Sequence, residues 1–188
     1  MSAEVGLTAA ADTKKIDLRT TEGAQAVKAQ WRYADAKIVP IHFKARDGQM
    51  KDSYDIQPHA EKPDFDDHEW ETVDPTTLGR SRGPGKFCVG WYRVQVTLPE
   101  GVVGKTVSFV TTVDDYGEVW VDGKLPYKEG HSGGAIVAGF NCPNRVVLAD
   151  PQPGKTYSIA IFAINGPISV VPINCLFLRE AYLEISEP

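Results

Sequence analysis

The stretch GWYRVQVTLPEGVVGKTVSFVTTVDDYGEVWVDG, residues 90–123, decides the fold. Trp91–Leu98 alternates and is rich in β-formers, and Pro99-Glu100-Gly101 stops it. Lys105–Val113 is a second strand, interrupted by the acidic corner Asp114-Asp115-Tyr116. Glu118–Val121 is a third, ended by Asp122-Gly123, the strongest short hairpin dipeptide. Parity along the first strand assigns its faces. Tyr92, Val94, Val96 and Leu98 share one side and are apolar, so that side faces the core. Trp91 and Arg93 fall on the other side, a polar or loop-covered face, and an aromatic beside a guanidinium there hints at a binding surface.

Outward from this stretch the chain keeps the same character. Residues 1–15 are small and polar without periodicity and read as a mobile tail, with the sandwich domain over 16–188. Thr20-Thr21 precede the short helix expected over Glu22–Ala29, with Thr as N-cap. Gln30–Lys44 reads as strand, and Pro40 places an edge or a bulge in it. Asp47-Gly48 is a turn before a short polar strand, Lys51–Gln57. Pro58–Gly85 is a long irregular segment, with Phe65, Trp70 and Leu78 as its expected anchors. Lys124–Gly139 is a glycine-rich loop, Arg145–Leu148 a short strand and Pro151–Gly154 a turn. Thr156–Ile164, TYSIAIFAI, is apolar on both faces and reads as a central strand covered on both sides. Asn165-Gly166-Pro167 breaks it, and Asn174–Ile185 closes the chain as one or two strands. Eight or nine strands with regular turn spacing predict an all-β sandwich with one short helix.

Bulk properties narrow the partners. Hydrophobic residues make up 42% and charged residues 24%, ordinary values for a globular domain with a full core. The net charge is −5 and no Lys/Arg block exceeds two residues, which argues against nucleic acid and anionic membrane. No stretch approaches the roughly 20 apolar residues of a membrane span. Without a signal-like start, the chain reads as soluble and cytoplasmic. Cys88, Cys142 and Cys175 show no metal or disulfide spacing and read as buried free thiols.

The chemistry-bearing residues form no complete catalytic motif. Asp114, Asp115 and Glu118 are the densest acidic group, but adjacent strand residues face opposite sides of a sheet unless a bulge re-aims one. Asp64, Asp66, Asp67 and His68 form a second cluster, which lacks the glycine and distal Glu of a calcium loop and reads as Asx-turn packing. His42, His59, His68 and His131 are scattered without metal-ligand spacing, so no metal and no cofactor is expected. His131 sits in the glycine-rich loop beside Ser132, and no G-x-S-x-G elbow accompanies it.

Several motifs together resemble a known family. DFDDHEW (Asp64–Trp70), Trp91-Tyr92-Arg93 running to Leu98-Pro99, and VDDYGEVWVDGK (Val113–Lys124) resemble the sugar-binding jelly-roll domain of family 2 glycoside hydrolases. Asp122 stands where that family usually has Asn. QWRY (Gln30–Tyr33), DPTTL (Asp74–Leu78), GFNCPNRVV (Gly139–Val147) and FAINGP (Phe162–Pro167) resemble an accessory domain ahead of the β-propeller in some bacterial gluconolactonase-like proteins. The resemblance implies an antiparallel jelly-roll sandwich of galactose-binding-domain type. It carries no catalytic residue over, because the propeller and the catalytic barrel lie outside this sequence.

Three functions remain open on the residues alone. The first is a module that binds a carbohydrate or another small polar molecule. The second is a small lyase, isomerase or cyclase acting through Arg93, Asp115, Tyr116 and His131. The third is a structural or interaction domain, and self-association into a homo-oligomer is compatible with all three. A ligand is expected at one end of the sandwich, among Trp91, Arg93, Asp114, Asp115, Tyr116, His131 and Asn165, with Arg93 paired to Asp114 or Asp115 on a neighbouring strand.

Overall fold

The computed structural model describes residues 13–126, 137–138, 142–166 and 175–188. In chain order its elements are β1 (Lys14–Asp17), α1 (Thr21–Ala26), β2 (Gln30–Asp35), β3 (Lys37–Lys44), β4 (Met50–Gln57), β5 (Glu71–Val73) and a 3-10 turn at Pro75–Thr77. There follow β6 (Cys88–Thr97), β7 (Thr106–Asp114), β8 (Tyr116–Val121), β9 (Val137–Ala138), β10 (Pro143–Val147), β11 (Thr156–Asn165) and β12 (Phe177–Ser186). Every strand pairing is antiparallel.

Two sheets form the sandwich, ordered β5-β2-β6-β11-β8-β9 and β1-β12-β7-β10, and β3-β4 make a separate ribbon. The chain is an all-β antiparallel sandwich, consistent with a jelly roll. Between the sheets lies the main core, where Trp31, Tyr92, Phe109, Tyr157 and Ile159 are almost wholly removed from water. Each such side chain contributes roughly 1.5–3 kcal/mol of transfer free energy. Trp31 keeps its polar atom satisfied, because Nε1 donates to the Leu18 carbonyl at 3.1 Å.

Tyr92, Val94 and Val96 face this core, as parity along residues 91–98 requires. Trp91 belongs to a second, smaller cluster on the opposite face with Ala36, Ala60, Val89, Ala160 and Phe162. Phe65 and Trp70 cover that cluster, and their rings meet at 5.2 Å. The long irregular segment is therefore a lid, with Leu78 anchored separately in the main core.

Local signals act where the sequence places them. The Thr20 hydroxyl accepts from Gly23 N at 3.0 Å and starts α1. Asp122 and Gly123 both hold positive φ, 49° and 74°, while Val121 and Lys124 exchange backbone bonds of 2.9 and 3.0 Å. Two central residues at positive φ are the two-residue hairpin turn whose twist matches the strands.

Other expectations are corrected. Gln30–Lys44 is two strands, because Ala36 N bonds the Val89 carbonyl and the chain then leaves the sandwich. Pro40, lacking a donor, sits in the resulting ribbon opposite Tyr54. Ile38 and Ile56 tie the ribbon to the second cluster, whereas Phe43, Met50 and Tyr54 are exposed. Lys14 and Lys15 pair with Ile185 and Glu184, so the sandwich begins inside the segment read as a tail. Cys88 is buried, but Cys142 is exposed and Cys175 only half-buried.

The largest difference is topological. Residues 90–123 do not form one three-stranded meander. β6 and β8 lie in the six-stranded sheet and β7 in the other, so both turns carry the chain across the sandwich. The expected adjacency of the Arg93 strand to the Asp114 strand is therefore absent.

Candidate functional site

Arg93 projects from the middle of β6, only 3% exposed, beneath the loop that follows β4. A guanidinium has five N–H donors, and desolvation makes each unsatisfied one costly. Nε donates to Asp67 Oδ2 at 2.8 Å. Nη1 donates to the carbonyls of Ala60 and, at 2.9 Å, Lys62. Nη2 reaches the Phe65 carbonyl and Ser158 Oγ, both at 3.5 Å, and the group lies 5.4 Å from the Phe65 ring. This arginine is a strut that fixes the lid, with no donor left for a ligand. The expected Arg93–Asp114/Asp115 pair is replaced by Arg93–Asp67.

Next to the strut, the same sheet face opens into a cleft of about 210 Å³, lined by Lys28, Gln30, Arg32, Asp67, Gln95 and Ser158, with Arg93 at its side. Register builds it. Gln30 lies opposite Gln95, and Gln95 opposite Ser158, across three adjacent strands. Arg32 lies opposite Arg93. The core-facing neighbours Trp31 and Tyr33 fix the outward direction of Gln30 and Arg32. Lys28 follows α1 with φ 53° and delivers a cation to the rim. A larger groove, about 530 Å³, lies by the base of the ribbon and is lined by Asp35, Lys37, Gln57, His59 and Phe65.

The remaining expected site residues do not join Arg93. Arg93 is level with Ala160 and hence with Trp120, four residues along β8 from Tyr116. At ~3.3 Å per residue that is roughly 13 Å along the strand, besides two inter-strand steps. At the far end, Asp114 pairs with Arg179 at 3.0 Å. Asp115 Oδ2 accepts from Gly166 N at 3.3 Å, so the adjacent acids serve separate partners. Tyr116 donates to Glu118 Oε1 at 2.9 Å, and burial, with Glu118 beside it, pushes the phenol well above its ordinary range. Asn165, fully buried, donates to the Cys175 carbonyl. Trp91 is 2% exposed and packs on Phe162 at 5.1 Å, so it is lid-covered core and no sugar platform. His131 lies outside the described residues.

Gln30, Arg32 and Ser158 are not among the expected site residues, because single polar residues on strands are commonplace. Their signal was available in parity. Gln30 and Arg32 flank Trp31, which itself alternates with Tyr33, and Gln95 shares the side of Arg93. Among the described residues, no group of three or more His, Cys, Asp or Glu is placed to hold a metal ion. Nor is any helix there long and apolar enough to cross a membrane.

The fold has known likenesses. Bacteroides uniformis beta-glucuronidase 2, covalently bound to cyclophellitol-6-carboxylate aziridine, superposes with a TM-score of 0.59 at 14% identity, over 94% of this chain and 18% of that one. A beta-glycosidase from Bacteroides vulgatus gives 0.52 at 15% identity, over 93% of this chain and 20% of that one. A beta-glucuronidase from glycoside hydrolase family 2 gives 0.51 at 14% identity, over 97% and 18%. The chain thus spans about a fifth of the length of these proteins. No protein-family model and no curated protein sequence matches it. At such identities the likeness is one of fold: a β-sandwich distantly similar to a domain-sized segment of family 2 glycoside hydrolases.

Proposed function

We propose that this domain is a non-catalytic binding module for a small hydroxyl-rich molecule, a carbohydrate of about one residue, held in the cleft beside Arg93. The observation that carries the reading is the row Gln30–Gln95–Ser158. These are two amides and a hydroxyl in cross-strand register on a rigid sheet, and neither amide side chain bonds any described residue. Side-chain amides offer donors and acceptors side by side, the pattern adjacent sugar hydroxyls require. The cleft volume, 210 Å³, is below the ~300–1,000 Å³ of drug-sized sites, which favours one ring over an oligosaccharide. Binding is favoured over hydrolysis because Asp67, the lining carboxylate, is already held by Arg93, and glycoside hydrolysis ordinarily takes two carboxylates flanking one bond. The fold likeness to glycosidases supports the ligand class.

Calorimetric titration with neutral monosaccharides tests this. We expect saturable binding, weakened about fivefold by Gln95→Ala, the equivalent of one lost hydrogen bond of ~1 kcal/mol. No binding of any sugar, or affinity indifferent to Gln30→Ala and Gln95→Ala together, would refute it.

A further inference from the structure

The cleft carries charge as well as amides, and its charges do not balance. Arg32 Nη1 donates to the His68 and Trp70 carbonyls, both at 3.2 Å, and to Thr72 Oγ1 at 3.0 Å. All three acceptors are neutral. Nε and Nη2 of Arg32 bond no described residue, and no carboxylate among these residues pairs with it. Lys28 Nζ likewise has neither ion pair nor hydrogen bond among them. Arg93 stands directly across the strand pair from Arg32, and like charges so placed repel. Asp67 neutralises one of these three cations. Of the other acids in the same segment, Asp66 and Glu69 lie against His68 and Asp64 is exposed, and none of the three forms an ion pair with Arg32 or Lys28. Within the cleft lining, Arg32 and Lys28 are thus left without a carboxylate partner.

We infer that the cleft's ligand bears an anionic group, a carboxylate or a phosphate ester, which docks between Arg32 and Lys28 while the ring lies along Gln30, Gln95 and Ser158. The inference rests on the binding reading above and names the class of molecule. The Arg32 guanidinium is held at one nitrogen by lid and strand acceptors, so its remaining nitrogens are oriented before a ligand arrives. Charge-assisted bonds to such a pre-positioned fork are about twice as strong as neutral ones. They also resist exchange of arginine for lysine, because only the planar fork bonds two oxygens at once.

The test is calorimetric titration of the full chain, at low and at high salt, with four probes: glucose, glucuronate, glucose 6-phosphate and inorganic phosphate. We expect one of the charged sugars to bind roughly 10-fold or more tighter than glucose, one or two charge-assisted bonds being enough for that ratio. Salt should narrow the gap. Glucuronate as the preferred probe identifies a carboxylate ligand, and glucose 6-phosphate a phosphorylated one. Arg32→Gln and Lys28→Gly should each remove most of the preference, with Arg32→Lys restoring only part. Lys28→Gly is the decisive variant, because Lys28 holds φ 53°, where glycine is at ease. It should bind the charged probe more weakly while melting no lower than the parent. Equal affinity for glucose and both charged sugars would overturn the anionic class and leave the sugar-binding reading intact. Arg32-dependent binding of inorganic phosphate with no sugar bound would keep the anionic class and overturn the sugar. Failure of all four probes overturns both.

Discussion

Arg93 Nε donates to Asp67 Oδ2 at 2.8 Å, joining the middle of a buried strand to a loop residue 26 positions earlier. This tie pins the loop to the outer face of the sheet, because the same guanidinium holds the carbonyls of Ala60 and Lys62. Removing one partner of a buried pair typically costs ~3–5 kcal/mol. Asp67 keeps 28% of its side chain in water, so we expect Asp67→Asn to cost less, about 2 kcal/mol. In a protein of this size that lowers the melting temperature by roughly 4–8 °C. Chymotrypsin should then cut sooner after Phe65, whose carbonyl Arg93 Nη2 reaches at 3.5 Å. An unchanged melting curve and digestion rate would show that the loop is held by Phe65 and Trp70 alone.

A helix interior ordinarily favours alanine over glycine by ~1 kcal/mol. Gly23 in α1 should reverse that preference. A Cβ built there would stand 1.9 Å from the Asp17 carbonyl oxygen, a backbone atom that strand β1 fixes. We expect Gly23→Ala to destabilise by ~1–3 kcal/mol, the range for overpacking. Equilibrium urea unfolding measures it, and a gain in stability would mean that α1 moves freely against β1.

The outer face of the four-stranded sheet is roofed by long polar side chains. Arg145 reaches across β7 to Glu184 at 2.5 Å, and Lys15 lies 4.5 Å from the Tyr182 ring. The Arg145 hydrogen bond lowers the Glu184 carboxyl below its ordinary value, with the Lys15 and Arg145 charges acting in the same direction. A depressed acid stabilises the fold above its unfolded pKa, about 4.3, and loses that contribution as pH falls through the lower folded value. The melting-temperature deficit of Arg145→Gln should therefore be present at neutral pH and should shrink progressively below pH ~4. A deficit independent of pH would assign the arginine a packing role only.

The three thiols should separate by rate. Cys142 is exposed, whereas Cys88 is buried and its thiol is pushed up by that burial. Only the thiolate attacks disulfide reagents. At mildly alkaline pH, an aromatic disulfide probe should modify Cys142 first and Cys88 last in the native protein. After denaturation without reductant, all three should react. A missing equivalent would reveal a cystine.

Local chemistry was legible in the sequence and sheet assignment was not. Alternation from Trp91 to Leu98 gave the correct faces, because burial of Tyr92 and Val94 leaves Trp91 and Arg93 no other side. Asp122-Gly123 gave its turn because the required φ values belong to those residues themselves. By contrast, Pro99-Glu100-Gly101 reports that a strand ends, and nothing in it specifies which sheet takes the next one. Hence Asp114 went to the opposite sheet from Arg93, and the acid expected beside the guanidinium came from the lid. Asp67 was visible within the acidic cluster, but its partner depends on a fold of the loop that no local spacing encodes. The cleft is not legible in the sequence for a similar reason: Gln30, Gln95 and Ser158 become a row only when three strands from distant parts of the chain align.

β1 and β12 leave the sandwich side by side, with Lys14 opposite Ile185. Directly opposed residues of an antiparallel pair lie only ~4.5–5.5 Å apart at Cα. A host chain would therefore enter and leave this domain through a single doorway, and could carry it in a surface loop without being stretched. The order of the strands along the chain becomes negotiable for the same reason. A short Gly/Ser bridge from Ser186 to Lys14, with new termini cut at the exposed Asp47-Gly48 turn, would thread the same two sheets in a permuted sequence.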